Sequence, residues 1–211
     1  QGTLCFDLGT PSPRGLSELL ASAPAAITAE RVASAIIRHS SGLRVLLSSE
    51  NPRDATLLGR TAQLEAVFRA LDGAAPFLVI DLGSALPAWA ATIAAACQEQ
   101  IVVTEAAANT LQHTRVLLDE MAATGINIEN TRLVLNHRVR FDTQFPAAEA
   151  EHTLGHSIST TLRPAPELMT AAARRHQPGV LVMPEDPLAQ QVLRMADVLL
   201  EATETSGAQA D

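Results

Sequence analysis

The sequence predicts an α/β fold: a doubly wound, mostly parallel sheet with helices on both faces. Three observations carry that expectation. Apolar runs closed by one polar residue recur along the chain, above all P-F-L-V-I-D-L-G at Pro76–Gly83. An unbroken apolar run of that length reads as a strand covered on both sides, as in a parallel sheet. Such runs alternate with alanine- and leucine-rich stretches of helical period, joined by short connections. Aromatic residues make up only 3% of the chain and tyrosine is absent, so the core must come from Ala, Leu, Val and Ile.

Each element has its own warrant. Pro11, Pro13, Gly15 and Pro24 confine the opening to a short helix near Leu16–Ala21. Thr28 is a good N-cap for a helix reaching Arg38. Gly42 punctuates, and L-R-V-L-L-S-S at Leu43–Ser49 reads as a strand. Asp54–Leu71 repeats Leu57, Leu58, Leu64, Val67, Phe68 and Leu71 on one face, a helix closed by Asp72–Gly73. Phe77–Leu82 is the strand described above. Pro87 starts a helix running to Cys97, and Ile101–Thr104 is a buried strand. Asn109–Ala123 is a helix with Gly125 positioned to end it. Arg132–Asn136 is a strand, Ala147–Leu154 a helix stopped by Gly155, and Ile158–Leu162 a short strand. Pro166–His176 and Pro187–Ala202 are the last helices. Residues 1–203 read as one domain, and 204–211 as a polar, flexible tail.

Bulk properties exclude several classes. The 211 residues, 47% apolar and 18% charged, describe a globular chain with ample length for a core. A net charge of −8 argues against a broad nucleic-acid footprint and against adhesion to anionic membranes. Arg138 with Arg140, and Arg174 with Arg175, read as a solvated loop and a helix end. Cys5 and Cys97 form no recognisable framework and fit unbridged thiols in a reducing compartment. No signal peptide and no apolar span near the roughly 18 residues that cross a bilayer is found, so a cytoplasmic location is expected. The chain begins at Gln1, and Gly2–Gly9 reads like the middle of a longer sequence.

Three positions are candidates for chemistry. Asp81 closes the Phe77–Leu82 run, and a carboxylate at the carboxyl edge of a parallel strand lies where open α/β sheets bind ligands. Its other reading is a residue capping the following turn. Asn136 ends L-V-L-N-H-R with a side chain that both donates and accepts, suited to a purine edge; an Asx turn is the alternative. The loop Leu162–Glu167, L-R-P-A-P-E, offers backbone groups in fixed directions, although a helix-start proline also explains it. No zinc motif, G-x-S-x-G, catalytic cysteine signature or G-x-G-x-x-G after a strand occurs. All 15 basic residues are arginine, so no lysine serves a Walker-type loop.

Several stretches in order carry a family resemblance. They are G-T-L-C-F-D-L-G near the start, S-G-L-R-V-L-L-S-S-E-N-P-R-D-A at 41–55, F-L-V-I-D-L-G at 77–83, I-V-V-T-E-A-A-A-N-T at 101–110, L-V-L-N-H-R at 133–138 and the closing P-E-D-P-L-A-Q-Q-V-L-R-M-A-D. Together they resemble MinD/ParA-type P-loop ATPases, most closely the CpaE/TadZ pilus-assembly branch. The resemblance spans nearly the whole chain through motifs of low individual specificity. It implies a P-loop NTPase-like fold that lacks its first strand, glycine-rich Walker A loop and second strand.

Residue by residue, the resemblance implies that Asp81 is the switch aspartate, holding Mg²⁺ through water and sensing the terminal phosphate. Gly83 falls in the mobile turn after it, Asn136 recognises adenine, and Pro164 lies near the loop closing over the base. His137 stands where the branch usually has arginine, so base stacking or interface contacts are not carried over to that position. The implied cofactors are ATP and Mg²⁺ in the complete protein, with none held tightly by this chain. Hydrolysis is implied only with an intact loop upstream. The implied partners are a second copy in a homodimer and pilus-assembly or polar-localisation proteins, with an upstream receiver-like module as in response regulators. A non-hydrolysing scaffold of the same fold is the other reading. Val198–Asp211 carries no basic residue, so no direct membrane insertion is implied at that end.

Overall fold

The structure is a computed structural model that describes residues 3–11, 15–138 and 145–207, with side chains to Glu201. Pro13 and Arg140, named above, and the end of the tail at 208–211 lie outside the described residues. The chain forms two compact units, Gln1–Ala85 with Ala172–Pro178, and Leu86–Ala171 with Gly179–Asp211.

The first unit is mostly helical. Its elements are α1 (Leu4–Asp7), α2 (Gly15–Ala21), α3 (Ala29–Ala35), β1 (Ile37–Arg38), β2 (Arg44–Val45) and α4 (Thr61–Leu71). Thr28 caps α3 as its sequence position predicts, its side chain accepting the Arg31 N–H at 3.3 Å. Leu19, Leu20, Val32 and Val67 are almost fully buried and bring α2, α3 and α4 together.

Four expectations need correction here. The helix expected to reach Arg38 ends at Ala35, where Ile36 turns extended and Ile37–Arg38 enter β1. The strand expected at Leu43–Ser49 shrinks to Arg44–Val45, paired antiparallel with β1 in a two-residue ladder. The helix expected over Asp54–Leu71 divides into a 3₁₀ segment, Pro52–Gly59, and α4, because Arg60 leaves helical geometry with ψ of 79°. The covered strand expected at Phe77–Leu82 does not form. That segment has irregular backbone, and Phe77, Leu78 and Val79 are 53%, 52% and 93% exposed. A strand exists only through a partner's ladder, and no strand among the described residues pairs with this one.

The second unit is the α/β part. It contains α5 (Ala88–Ala96), β3 (Gln100–Glu105), α6 (Ala108–Ala123), β4 (Thr131–Asn136), α7 (Ala147–Leu154), β5 (Thr160–Leu162), α8 (Pro166–Arg175, passing to the first unit at Ala172), α9 (Gly179–Val182) and α10 (Pro187–Gly207). The strands pair parallel in the order β3-β4-β5. β4 is central, with Leu133, Val134 and Leu135 at 2%, 1% and 0% exposure.

Helices cover both faces of this sheet. On one face α6 packs on β3, where the Thr104 and Thr114 hydroxyls meet at 2.8 Å in a buried contact. On the other, α10 lies over Val134 and Thr160. Helix ends follow the predicted glycines, with φ of 84° at Gly125 and 72° at Gly155, the left-handed region where glycine is favoured. Arg174 and Arg175 close α8 as expected of a helix end. α10 continues to Gly207, past Ala202, because no proline or glycine intervenes before that residue. Among the described residues no helix is long and apolar enough to cross a membrane.

Candidate functional site

Three parallel strands place their carboxyl ends on one edge, and the register aligns Glu105 with Asn136 and Asn136 with Leu162. Asn136 is half-buried there, and its carboxamide has no hydrogen-bond partner among the described residues. It therefore makes no Asx turn, the alternative that its position allowed. The next residue continues the ladder, the His137 N–H donating to the Leu162 carbonyl at 2.9 Å. His137 is 3% exposed, so its ring belongs to the core of this unit and not to the open edge.

Pro164 is half-buried two residues beyond the end of β5. Its loop is held from behind by Gln191 of α10. The Gln191 amide nitrogen donates to the Thr161 carbonyl at 2.7 Å, and its oxygen accepts the Arg163 N–H at 3.2 Å. Asn136 and Pro164 thus share the carboxyl edge of the sheet. Arg138 and Glu105 add a largely exposed ion pair of 3.2 Å at the same edge. Gln191, Arg163 and that ion pair carried no signal in the sequence, since each works through a partner distant in the chain.

Asp81 and Gly83 lie in the first unit and form a small structure of their own. Asp81 Oδ1 accepts the Gly83 N–H at 2.9 Å, while Gly83 adopts φ of 78°. That bond is the turn-capping role the sequence allowed. The carboxylate is exposed, at the end of an irregular segment and not at the end of a covered strand.

One oxygen engaged by a backbone N–H leaves acceptor capacity on Asp81. A single carboxylate suits Mg²⁺, which keeps several waters and completes its shell with phosphate oxygens. Among the described residues no group of three or more His, Cys, Asp or Glu could hold a metal by itself. Asp81 thus keeps acceptor sites beyond its turn, and no cage of protein ligands forms around it among the described residues.

Two cavities lie elsewhere in this unit. One of about 320 Å³ sits under α10 against the middle of the sheet, between Ile101, Arg132, Val134, Arg194 and Met195. Another of about 260 Å³ lies near the amino ends of the strands, beside Thr131, His156 and Ser159. Neither includes Asn136 or Pro164.

No protein-family model and no curated protein sequence matches the chain. Solved structures do. A ParA family ATPase from Chlorobium tepidum TLS superposes with a TM-score of 0.77 at 16% identity, over 89% of this chain and 77% of that one. The cell division ATPase MinD of Pyrococcus furiosus gives 0.74 at 20% identity, over 95% and 81%. The septum site-determining protein MinD of Pyrococcus horikoshii OT3, complexed with Mg-ADP, gives 0.73 at 19% identity, over 94% and 79%. The chain has the MinD/ParA fold, a P-loop NTPase-type α/β architecture.

Proposed function

We propose that this chain is the larger part of a MinD/ParA-type ATPase domain that binds ATP with Mg²⁺ and uses the bound state to control dimerisation and positioning. The observation carrying the proposal is the Asn136 carboxamide, unpartnered among the described residues, at the carboxyl edge of a parallel sheet of this fold. An asparagine side chain pairs with adenine through two hydrogen bonds, donating to a ring nitrogen and accepting from the exocyclic amine. Pro164 shapes the wall beside the base. Asp81 holds Mg²⁺ through water, and Gly83 gives the turn after it the freedom to respond to the terminal phosphate. When bound, the cation neutralises phosphate charge. The relative with Mg-ADP supports the choice of ligand.

The phosphate loop is assigned to polypeptide outside Gln1–Asp211, as is any receiver-like module. With arginine as its only basic side chain, the chain by itself has no lysine to place on a phosphate. The system served is pilus assembly of the CpaE/TadZ type or a related localisation machinery in the cytoplasm. The alternative reading is a non-hydrolysing scaffold of the same fold acting through protein contacts.

Titration calorimetry of the longer native protein with ATP and Mg²⁺ separates the two. Binding is expected, and Asn136→Ala should weaken it about tenfold, the equivalent of about 1.4 kcal/mol for one lost bidentate contact. Asp81→Ala should weaken binding only when Mg²⁺ is present. No heat with any nucleotide would leave the scaffold reading.

A further inference from the structure

Asn136 by itself does not choose between purines. Its carboxamide carries a donor and an acceptor side by side and exchanges them by turning over. One orientation meets the exocyclic amine and ring nitrogen of adenine. The other meets the carbonyl and ring N–H of a 6-oxopurine equally well. A choice between the two needs a neighbour that only accepts or only donates.

Glu105 is such a neighbour. The register sets it opposite Asn136, one strand spacing of about 5 Å away, and residues so paired in a parallel ladder point to the same face. That face is the one under α10, where Arg132 and Val134 precede Asn136 at alternate positions of β4. Thr104 turns the other way, to Thr114 of α6. The Glu105 carboxylate is also held. Its Oε1 accepts from the Arg138 guanidinium at 3.2 Å, and its backbone carbonyl accepts the Ala107 N–H at 2.8 Å. Oε2 has no hydrogen bond among the described residues, and the side chain is 40% exposed.

We propose that Glu105 is the specificity-determining residue of this edge, admitting adenine and rejecting 6-oxopurines. The inference rests on the nucleotide reading above. The exocyclic amine of adenine has two hydrogens. Asn136 Oδ1 accepts one and Glu105 Oε2 accepts the other. A carboxylate paired with arginine donates nothing, so a purine carbonyl in the same place sets oxygen against oxygen. Arg138 fixes one carboxylate oxygen and leaves the second to the base.

Titration calorimetry of the longer native protein with ATP and with inosine triphosphate, each with Mg²⁺, tests this. The parent should prefer ATP by about tenfold or more. Glu105→Gln offers an amide N–H to the carbonyl and should lower that ratio about tenfold, mainly by tightening inosine triphosphate. Glu105→Ala removes the acceptor and should lower the ratio as well. Glu99→Gln is the control, because Glu99 pairs with Arg132 at 2.9 Å at the amino end of the same two strands. A role confined to clamping β3 to β4 would show in both glutamine variants. Equal affinity of the parent for the two nucleotides overturns this inference alone. So does a ratio that Glu105→Gln leaves unchanged, or one that Glu99→Gln lowers as much. A protein that binds neither nucleotide removes the nucleotide reading, and this inference with it.

Discussion

Removing the Gln191 side chain tests whether β5 and its loop are held by a single long-range cap. β5 is only three residues long, and Gln191 supplies hydrogen bonds of 2.7 and 3.2 Å to the backbone at Thr161 and Arg163. Gln191→Ala deletes both. A net value of about 1 kcal/mol per neutral hydrogen bond, partly recovered by water at this half-buried edge, gives about 1–2 kcal/mol of lost stability. For a chain of this size that is a fall in Tm of roughly 2–8 °C. Gln191→Glu sharpens the test. It keeps the acceptor for the Arg163 N–H, loses the donor, and sets a carboxylate against the Thr161 carbonyl. It should therefore be no better than alanine despite its closer shape. Urea and thermal unfolding of the 211-residue chain supply the measurement. A Gln191→Ala protein within about 0.3 kcal/mol of the parent refutes the reasoning, because two intact caps cannot be worth less than the usual minimum for one.

Other consequences are simpler. Leu135 is 0% exposed at the centre of β4, so Leu135→Ala should cost about 2–5 kcal/mol in urea unfolding. Gly155 has φ of 72° with open space around a built Cβ, so Gly155→Ala meets backbone strain alone and should cost about 1–2 kcal/mol in the same assay. Burial pushes the Cys97 thiol above its ordinary 9.0. Because the folded value is the raised one, this contribution to stability is complete below the unfolded pKa and is lost as pH rises through the folded value. Cys97→Ser should flatten the alkaline fall in Tm. Iodoacetamide at pH 8 should label Cys97 several-fold more slowly in the folded chain than in urea, as peptide mapping would report.

The second unit was largely legible because its signals are local. Helices α6 and α7 end at glycines that act within a residue or two, and the expected spans of these helices and of strand β4 differ from the observed ones by a residue or less. The first unit was read less well for one reason. Leu43–Ser49 and Phe77–Leu82 carry the composition of strands, but an apolar run states only that burial is favourable and does not name the partner. Where no adjacent strand supplies a ladder, Val79 remains 93% exposed despite sitting in the most strand-like run of the chain. The site divides the same way. Asn136 could be found from its place at a strand end, whereas Gln191 reads as an ordinary helix glutamine until β5 is beside it.

The acid and the amide singled out by the sequence now stand on different footings. Asp81 already has work to do: its bond to the Gly83 N–H explains a carboxylate and a glycine at that spacing without any ligand. A ligand role adds to that turn and does not compete with it, since a carboxylate offers about four acceptor sites and the turn uses one. Asn136 has no such local explanation. Its carboxamide could cap the turn after β4, as asparagines at strand ends commonly do, yet among the described residues it is unengaged and half-covered. Leaving an amide under-satisfied costs on the order of 1–3 kcal/mol when water is excluded from it. A planar ligand that both accepts and donates would recover that cost, and an alanine at 136 would avoid it altogether in a chain that never meets one. Asn136→Ala should therefore leave stability unchanged or slightly improved. For that reason Asn136, and not Asp81, is the residue on which the nucleotide reading depends.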